Sequence, residues 1–311
     1  MSNLTGGVWE DVSCPLCPAG TAFERYLTCG DRLKDPTLHN HTLTSCCGCG
    51  LIFLSPRPPF DLAPSHHLQE GYDPFISFSQ NPSITDRLYI LAREWSSKWK
   101  RRLVLRQVPK GSRVLDVGCG TGEFLKAIHD VMICQGIEPE IQAGEWGRKN
   151  YNIDIKTGDL DSVPLAPNSF EMITLWHALE HIPEALLALQ KVSDALTPNG
   201  KVLIALPNID SYDADFYGPD WVALDAPRHL WHFTPTTIKA ISLQAGFSRV
   251  STHLLPLDHF YNVLLSEGIH LKSNPTHKLF SPLRMGTALA GSLYTAFVSG
   301  EGSGMYYILE K

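Results

Sequence analysis

The sequence predicts an α/β protein, a doubly wound parallel sheet with a small cysteine module in front of it. Three observations carry the prediction. After Gly111, short runs rich in β-branched and apolar residues alternate with helical stretches, the pattern of strands laid side by side and covered on both faces. Six of the eight cysteines, at 14, 17, 29, 46, 47 and 49, fall within the first 49 residues. The length, 311 residues, is about twice that of an ordinary domain and leaves room for appendages.

Composition narrows the classes. Hydrophobic residues make up 43% and charged residues 19%, which excludes collagenous, disordered and coiled-coil chains. With 26 Lys and Arg against 32 Asp and Glu, the net charge is −6, the wrong sign for a protein that works by neutralising phosphates. No run of 18 apolar residues is present, so no spanning helix is expected. The opening residues, MSNLTGGVWEDVSCPLC, lack the basic head and apolar stretch of a signal peptide. A cytoplasmic protein is expected.

Taken in order, residues 1–59 form the cysteine module, ending where Ser55-Pro56-Arg57-Pro58-Pro59 stiffens the chain. Residues 60–110 read as a linker and a helix. Phe60 to Pro82 is rich in Pro, His and Ser without periodicity, hence loop. Ile84, Leu88, Leu91, Trp95, Trp99 and Leu103 then recur at helical spacing as one apolar stripe. Lys98, Lys100, Arg101 and Arg102 crowd the end of that helix, where cations complement its dipole and face solvent. Residues 111–255 are the core, with strands at Val114–Val117, Met132–Ile137, Ile153–Lys156, Met172–Leu175, Val202–Leu206 and Val250–Leu255. Helices such as Glu184–Leu196 and Thr236–Ala245 fit between them. Residues 256–300 are too long for a connection and hold two apolar helical stretches, Phe260–Leu271 and Leu283–Val298, read as an inserted cap. Residues 301–311 supply a last strand, Met305–Leu309.

Cys14-Pro-Leu-Cys17 and Cys46-Cys-Gly-Cys49 are two C-x2-C pairs. Each such turn aims two sulfurs at one point, and four thiolates at about 2.3 Å satisfy tetrahedral zinc. A site closed by four thiolates leaves no place for substrate, so a structural Zn(2+) held by Cys14, Cys17, Cys46 and Cys49 is expected. Cys47 competes with Cys46 by adjacency, while Cys29, His39 and His41 are spare donors with loop or surface roles.

Val114-Leu-Asp-Val-Gly-Cys-Gly-Thr-Gly-Glu-Phe-Leu125 is a strand, a glycine turn and a helix start. Its G-x-G-x-G spacing departs from the pyrophosphate pattern G-x-G-x-x-G. Asp116 two residues earlier suits a cationic ligand better than an anionic one, and the glycines let backbone approach it closely. Here the chain resembles the class I S-adenosylmethionine-dependent methyltransferases, whose first motif reads D-x-G-x-G-x-G. Asp116, Gly118, Gly120 and Gly122 match that motif, and Cys119 lies within it. The resemblance implies a seven-stranded Rossmann-like sheet with the final strand antiparallel. It also implies that Glu138, closing the second strand, accepts the ribose hydroxyls and that Asp159 with Leu160 meets the adenine. Asp159 also reads as a turn or cap residue. Phe170 to His181 resembles the fourth-strand motif, with Glu171 where Asp is usual, and Leu196-Thr-Pro-Asn-Gly200 resembles the turn before strand five. The four-cysteine ribbon and Asp225-Ala-Pro-Arg-His-Leu-Trp-His-Phe-Thr234 are similar to a subgroup that borders on quinone-pathway, sugar and natural-product methyltransferases.

A hydroxyl or carbon acceptor needs a base with a pKa near working pH, and histidine fits. His177, His181, His229 and His232 fall at or after strand ends, where ligands gather in open α/β sheets. His229, His177 and His181 are the candidate bases, each with a structural alternative. Trp176, grouped with the cofactor residues, and Trp221 could stack on a ring or pack in the core. The expected function is methyl transfer to a small-molecule acceptor, a sugar, quinone-like ring or lipid-linked group. Two rivals are an RNA methyltransferase gripping nucleic acid with the ribbon, and a non-catalytic cofactor-binding scaffold. Residues 1–59 hold four Lys or Arg and five Asp or Glu, without a basic-aromatic pattern for nucleic acid. Intact Asp116, Glu138 and Asp159 favour catalysis over the scaffold. The cap is expected to bring Phe260, Tyr261 or Leu264 to an acceptor pocket; the alternatives are a sheet cover or dimer face, and a membrane-surface contact.

Overall fold

The computed structural model describes residues 9–59 and 84–311. The expected loop at 60–82 and the side chains of Ile84, Leu88 and Leu91 lie outside the described residues. The cysteine module contributes β1 (Phe23–Cys29), β2 (His41–Cys46) and β3 (Ile52–Leu54). The core follows as α1 (Ile84–Gln107), β4 (Arg113–Val117), α2 (Glu123–Ile128), β5 (Ile133–Glu138), α3 (Ile141–Tyr151), β6 (Asp154–Thr157), β7 (Phe170–Trp176), α4 (Ala185–Ala195) and β8 (Leu196–Pro207). Then come α5 (Tyr212–Tyr217), β9 (Trp231–His232), α6 (Pro235–Gln244), β10 (Arg249–Leu254), α7 (Asp258–Ser273), α8 (Ser281–Ser299) and β11 (Gly304–Glu310).

Seven strands form one sheet in the order β10-β11-β8-β7-β4-β5-β6. Strands β4 to β8 run parallel to one another, and β11 is antiparallel to both β8 and β10. The middle strands read as continuous apolar runs because both faces are covered: Leu115, Ile173, Leu175 and every residue from Val202 to Leu206 are buried. The chain steps outward from β4 through β5 to β6, then returns to lay β7 on the other side of β4. That reversal opens a crevice at the carboxyl ends of β4 and β7, where ligands bind in such sheets. Local signals set the edges. Thr234 and Thr237 exchange side-chain and backbone bonds around Pro235, fixing the start of α6 as a capping box does.

The structure departs from the sequence reading in three places. Trp95, expected on the apolar stripe of α1, is exposed. In the second half of that helix Leu103 and Val104 are buried, and Trp99 packs edge-on against Tyr306 at 5.4 Å between ring centroids. The segment Leu196-Thr-Pro-Asn-Gly200 is not a separate turn but the irregular start of β8, with Leu196 opposite Phe170 and a register shift before Lys201. The ribbon, finally, is not self-contained. β3 pairs with β9, setting Ile52 opposite His232 and Phe53 opposite Trp231, so the core supplies a fourth strand to the module's sheet. Leu43, Phe53, Trp231, Phe233, Ile204 and Leu206 belong to one continuous hydrophobic core. Full burial of Phe53 alone contributes roughly 1.5–3 kcal/mol.

Candidate active site

A cavity of about 670 Å³ opens at the switch point, within the size range of small-molecule sites. One end is lined by Gly118, Glu138, Asp159 and Leu160, the middle by Lys100, Trp176 and His177. The far end is lined by Arg32, Asp225, His229 and Tyr261. Among the described residues, five other than glycine have positive φ. Asn152 and Asn168 are of a type that tolerates it. The other three, His177 (54°), Asp225 (32°) and Leu257 (76°), all line the cavity, and backbone strain collects where function constrains it.

At the first end, Gly118 and Cys119 donate their amides to Ile137 O at 2.9 and 3.1 Å, tying the loop to β5. Gly118 has φ +71°, and a Cβ there would meet Ala178 Cβ at 2.9 Å. Gly120, φ +54°, faces open space, a backbone left bare for a ligand to approach. Cys119 joins the site only through its backbone; its thiol is buried and packs beneath Gly136. Asp116 is buried and accepts a hydrogen bond from Thr174 Oγ1 at 2.6 Å. Burial pushes its carboxyl up to about 7, with Thr174 and Lys100 opposing and Glu138 reinforcing. Glu138 accepts the amides of Gly120 (2.7 Å) and Glu140 (2.9 Å), one on each oxygen, and burial raises it as well. Asp159 Oδ1 accepts the amides of Asp161 and Ser162, so this side chain caps a turn while lining the cavity. Glu171 accepts the backbone and guanidinium of Arg113, tying β7 to β4 away from the cavity.

In the middle, the Trp176 ring packs edge-on against Trp99 and Phe124, and the Lys100 ammonium lies 4.4 Å from its centroid, a cation–π contact. His177 is the exposed histidine of the set, its side chain 40% accessible, with Nδ1 3.6 Å from Glu180 Oε1 and Nε2 3.8 Å from Asp258 Oδ2. Both separations are ion-pair rather than hydrogen-bond distances. Partial loss of water inside the cavity pulls the His177 imidazole down, but Glu180 and Asp258 more than offset this and its pKa is raised. Asp258 itself is pushed up to about 6 by burial, against the pull of His177 and Lys100.

Behind His177 the histidines are held by carbonyls. His181 Nδ1 lies 3.0 Å from Arg228 O and His229 Nδ1 2.8 Å from Ala223 O. The two rings meet edge to face at 4.6 Å. Burial and the neighbouring His229 hold His181 down at about 4. His232 does not reach the cavity: it is buried in β9, against the expectation that all four histidines gather at the ligand. Trp221 is likewise a core residue, donating Nε1 to Asp213 Oδ2 at 3.0 Å. Of the three cap residues expected at the pocket, Tyr261 lines it while Phe260 and Leu264 are more than half exposed, because positions four apart share one face of α7 and that face is turned to solvent. Leu255, Pro256, Leu257 and Asn262 complete that wall.

The ribbon reaches this end of the cavity through charge. Arg228, buried, donates Nη2 to Asp31 at 2.9 Å and to Asp225 at 2.6 Å, and Arg32 Nε donates to the same Asp225 oxygen at 2.6 Å. Burial works against Asp225, yet two guanidiniums hold its carboxyl far below the usual range. Arg57 bridges Glu10 and Pro183 O. In the ribbon itself, sulfurs of Cys14, Cys17, Cys46 and Cys49 lie within 4.8 Å of one another, and no described cysteine is in a disulfide. A Cβ at Gly48 would meet Cys17 Sγ at 3.0 Å. Cys47 points outward and His41 stacks on Trp9; Cys29 and His39 also lie outside the group.

Sequence reasoning missed Arg32, Lys100, Glu180 and Asp258. Lys100 was read with the solvated end of α1. For Glu180 the signal was present: it sits three residues after His177 and next to His181.

A profile of the methyltransferase domain family matches residues 89–252. The demethylmenaquinone methyltransferase of Staphylococcus carnosus is 32% identical over 120 residues, 36% of this chain and 50% of that protein. Its counterpart in Staphylococcus aureus strain JH9 is 31% identical over 128 residues, 38% of this chain and 53% of that protein. The chain thus spans about half the length of the curated relatives it matches. The crystal structure of an S-adenosylmethionine-dependent methyltransferase from Archaeoglobus fulgidus aligns with 20% identity and a TM-score of 0.47, covering 72% of this chain and 99% of that one. Among the described residues no helix is long and apolar enough to cross a membrane. With just over half of its residues inside the profile match, the chain belongs to the methyltransferase domain family.

Proposed function

We propose that the chain methylates a small, quinone-like acceptor held at the far end of the cavity, with His177 taking the acceptor's proton. The observation that carries this reading is a single cavity that joins the glycine loop to His177 and Tyr261. The curated relatives are named for a quinone-type acceptor, which supports the acceptor class. The residues fit the methyl donor: Gly120 is bare, and the carboxylates of Glu138 and Asp159 line the same end. When bound, S-adenosylmethionine supplies an electrophilic methyl on a cationic sulfur. Each Glu138 oxygen accepts one amide and keeps a second lone pair for a ribose hydroxyl. Leu160 and Trp176 offer apolar walls. His177 is placed between Glu180 and Asp258, so an imidazolium formed by proton uptake is stabilised from both sides. Tyr261 and Leu257 line the same cavity.

The same proposal assigns a structural zinc to Cys14, Cys17, Cys46 and Cys49, a cytoplasmic setting, and a wall-building role to the ribbon, 1–59, against the core, 111–255 with 301–311, and the cap, 256–300. Arg32 and Arg57 are committed to groups of their own chain, which disfavours the ribbon as a nucleic-acid grip. Two experiments test these assignments. Calorimetry should show S-adenosylhomocysteine binding, and a hydroxylated quinone offered with S-adenosylmethionine should yield S-adenosylhomocysteine; binding of NAD with no S-adenosyl ligand bound would sink the reading. Purified protein should carry about one zinc in the ribbon, lost in Cys14→Ser; zinc retained in Cys46→Ser/Cys49→Ser would refute that ligand set.

A further inference from the structure

Glu180 is a buried carboxylate, 1% exposed, and neither of its oxygens accepts a hydrogen bond among the described residues. A buried carboxylate is costly unless its charge is balanced, and the nearby His177 imidazole, 3.6 Å from Glu180 Oε1, balances it at ion-pair distance and only when protonated. The guanidiniums of Arg228 and Arg32 are paired with Asp31 and Asp225 instead. A Glu180 oxygen and one ring nitrogen each of His181 and His229 lie within 4.8 Å of one another.

The two histidines have the orientation that metal-binding imidazoles take. A carbonyl can only accept, so the Nδ1 atoms facing Arg228 O and Ala223 O carry the protons, and each Nε2 is the lone-pair nitrogen. That is the outer-shell device that fixes the tautomer of ligating histidines. Asp225 Oδ2, 3.9 Å from His229 Nε2, adds negative potential beside the group. The side away from the cavity, where Glu180 and His229 meet Trp221, Trp231 and His232, is packed closed, while His181 and His229 line the cavity.

We propose that Glu180, His181 and His229 form a binding site for a divalent first-row metal ion, separate from the ribbon cysteines, at the base of the acceptor cavity. Two nitrogens and one carboxylate suit such an ion. Ligand bonds of about 2.0–2.2 Å would draw the three groups together by roughly 1 Å. Three protein ligands leave coordination positions open toward the cavity, as in catalytic rather than structural sites. An acceptor oxygen is the group that would fill them, which places polarisation of that oxygen beside His177. This last step rests on the proposed function; the metal site itself does not.

The test uses the full chain, equilibrated with manganese(II) in excess and then passed through a desalting column, with total metal counted by elemental analysis. Glu180→Gln, nearly isosteric, and His229→Ala should each hold one metal equivalent fewer than the unsubstituted protein, whereas Cys14→Ser should keep the ion at this site. S-adenosylhomocysteine binding, measured by calorimetry on the same samples, should be unchanged in Glu180→Gln and confirms that it folds. Metal content equal to that of the unsubstituted protein in both Glu180→Gln and His229→Ala overturns the proposal; the buried charge is then balanced by a proton on a histidine. Failure of the unsubstituted protein to bind S-adenosylhomocysteine would instead overturn the proposed function and leave the metal count standing.

Discussion

The two ends of the cavity are built in different ways. The glycine-loop end comes from consecutive strand ends of one sheet: Gly118 after β4, Glu138 closing β5, Asp159 after β6. The middle and far end are gathered from Lys100 on α1 and His177 after β7, then Arg32 in the ribbon, Asp225 and His229 before β9, and Tyr261 on α7. The first needs only the sheet. The second needs the ribbon, the cap and the core to be docked, and it should be the first to fail when docking is weakened.

Removing the charge that docks the ribbon puts this contrast under the greatest load. Arg228→Met leaves Asp31 and Asp225 buried with one guanidinium fewer, which should cost about 3–5 kcal/mol of stability. Denaturant unfolding measures this. Turnover should fall with it, while S-adenosylhomocysteine affinity of the folded fraction is kept. Equal loss of cofactor affinity would show that the two ends are not separable.

His177→Asn probes the middle of the cavity without touching docking. Loss of a general base lowers kcat by about 10²–10⁴-fold, with the unfolding midpoint and cofactor affinity little changed. A kcat within about threefold of the unsubstituted enzyme would remove His177 from the chemistry.

The near end has its own signature in pH. Asp116 has a folded pKa raised to about 7 from an ordinary 3.8, so the folded state holds its proton where the unfolded chain has released it. Between those values stability falls as pH rises, and the loss from this group is complete above about 7, up to about 4 kcal/mol. Denaturant midpoints across this window should fall less steeply in Asp116→Asn than in the unsubstituted protein. Identical slopes would mean that Asp116 ionises normally.

Gly120→Val gives the smallest change in stability. A Cβ there meets nothing within 4 Å, so the cost is that of a left-handed backbone, about 1–2 kcal/mol. S-adenosylhomocysteine affinity should nevertheless fall at least about tenfold, because the side chain occupies the space the ligand needs. Unchanged affinity would move the cofactor away from this loop.

The same contrast explains what could be read in advance. The strands of the large sheet were legible as short apolar runs, and the glycine loop as a contiguous string, because backbone conformation and double burial act locally on composition. The cysteine pairs were legible for the same reason. Trp221 and His232 stayed open between ligand and core because a ring near a strand end has the same sequence signature whichever it faces. Lys100 sits in a basic run that reads as solvated helix, and only the packing of α1 over Trp176 turns it inward. Arg32 and Asp31 carry no pattern at all, since their partners lie 193 and 197 residues away.

That separation also sets a timetable. Ribosomes add about 5–20 residues per second, so Asp31 waits roughly 10–40 seconds before Arg228 has been made. During that interval β3 has no β9 to pair with, and the apolar face carrying Leu43 and Phe53 has nothing to cover it. Nascent ribbon is therefore exposed to chaperones and to aggregation for the whole of core synthesis. An ion clasped early by Cys14, Cys17, Cys46 and Cys49 would hold the half-built module together until its last strand emerges.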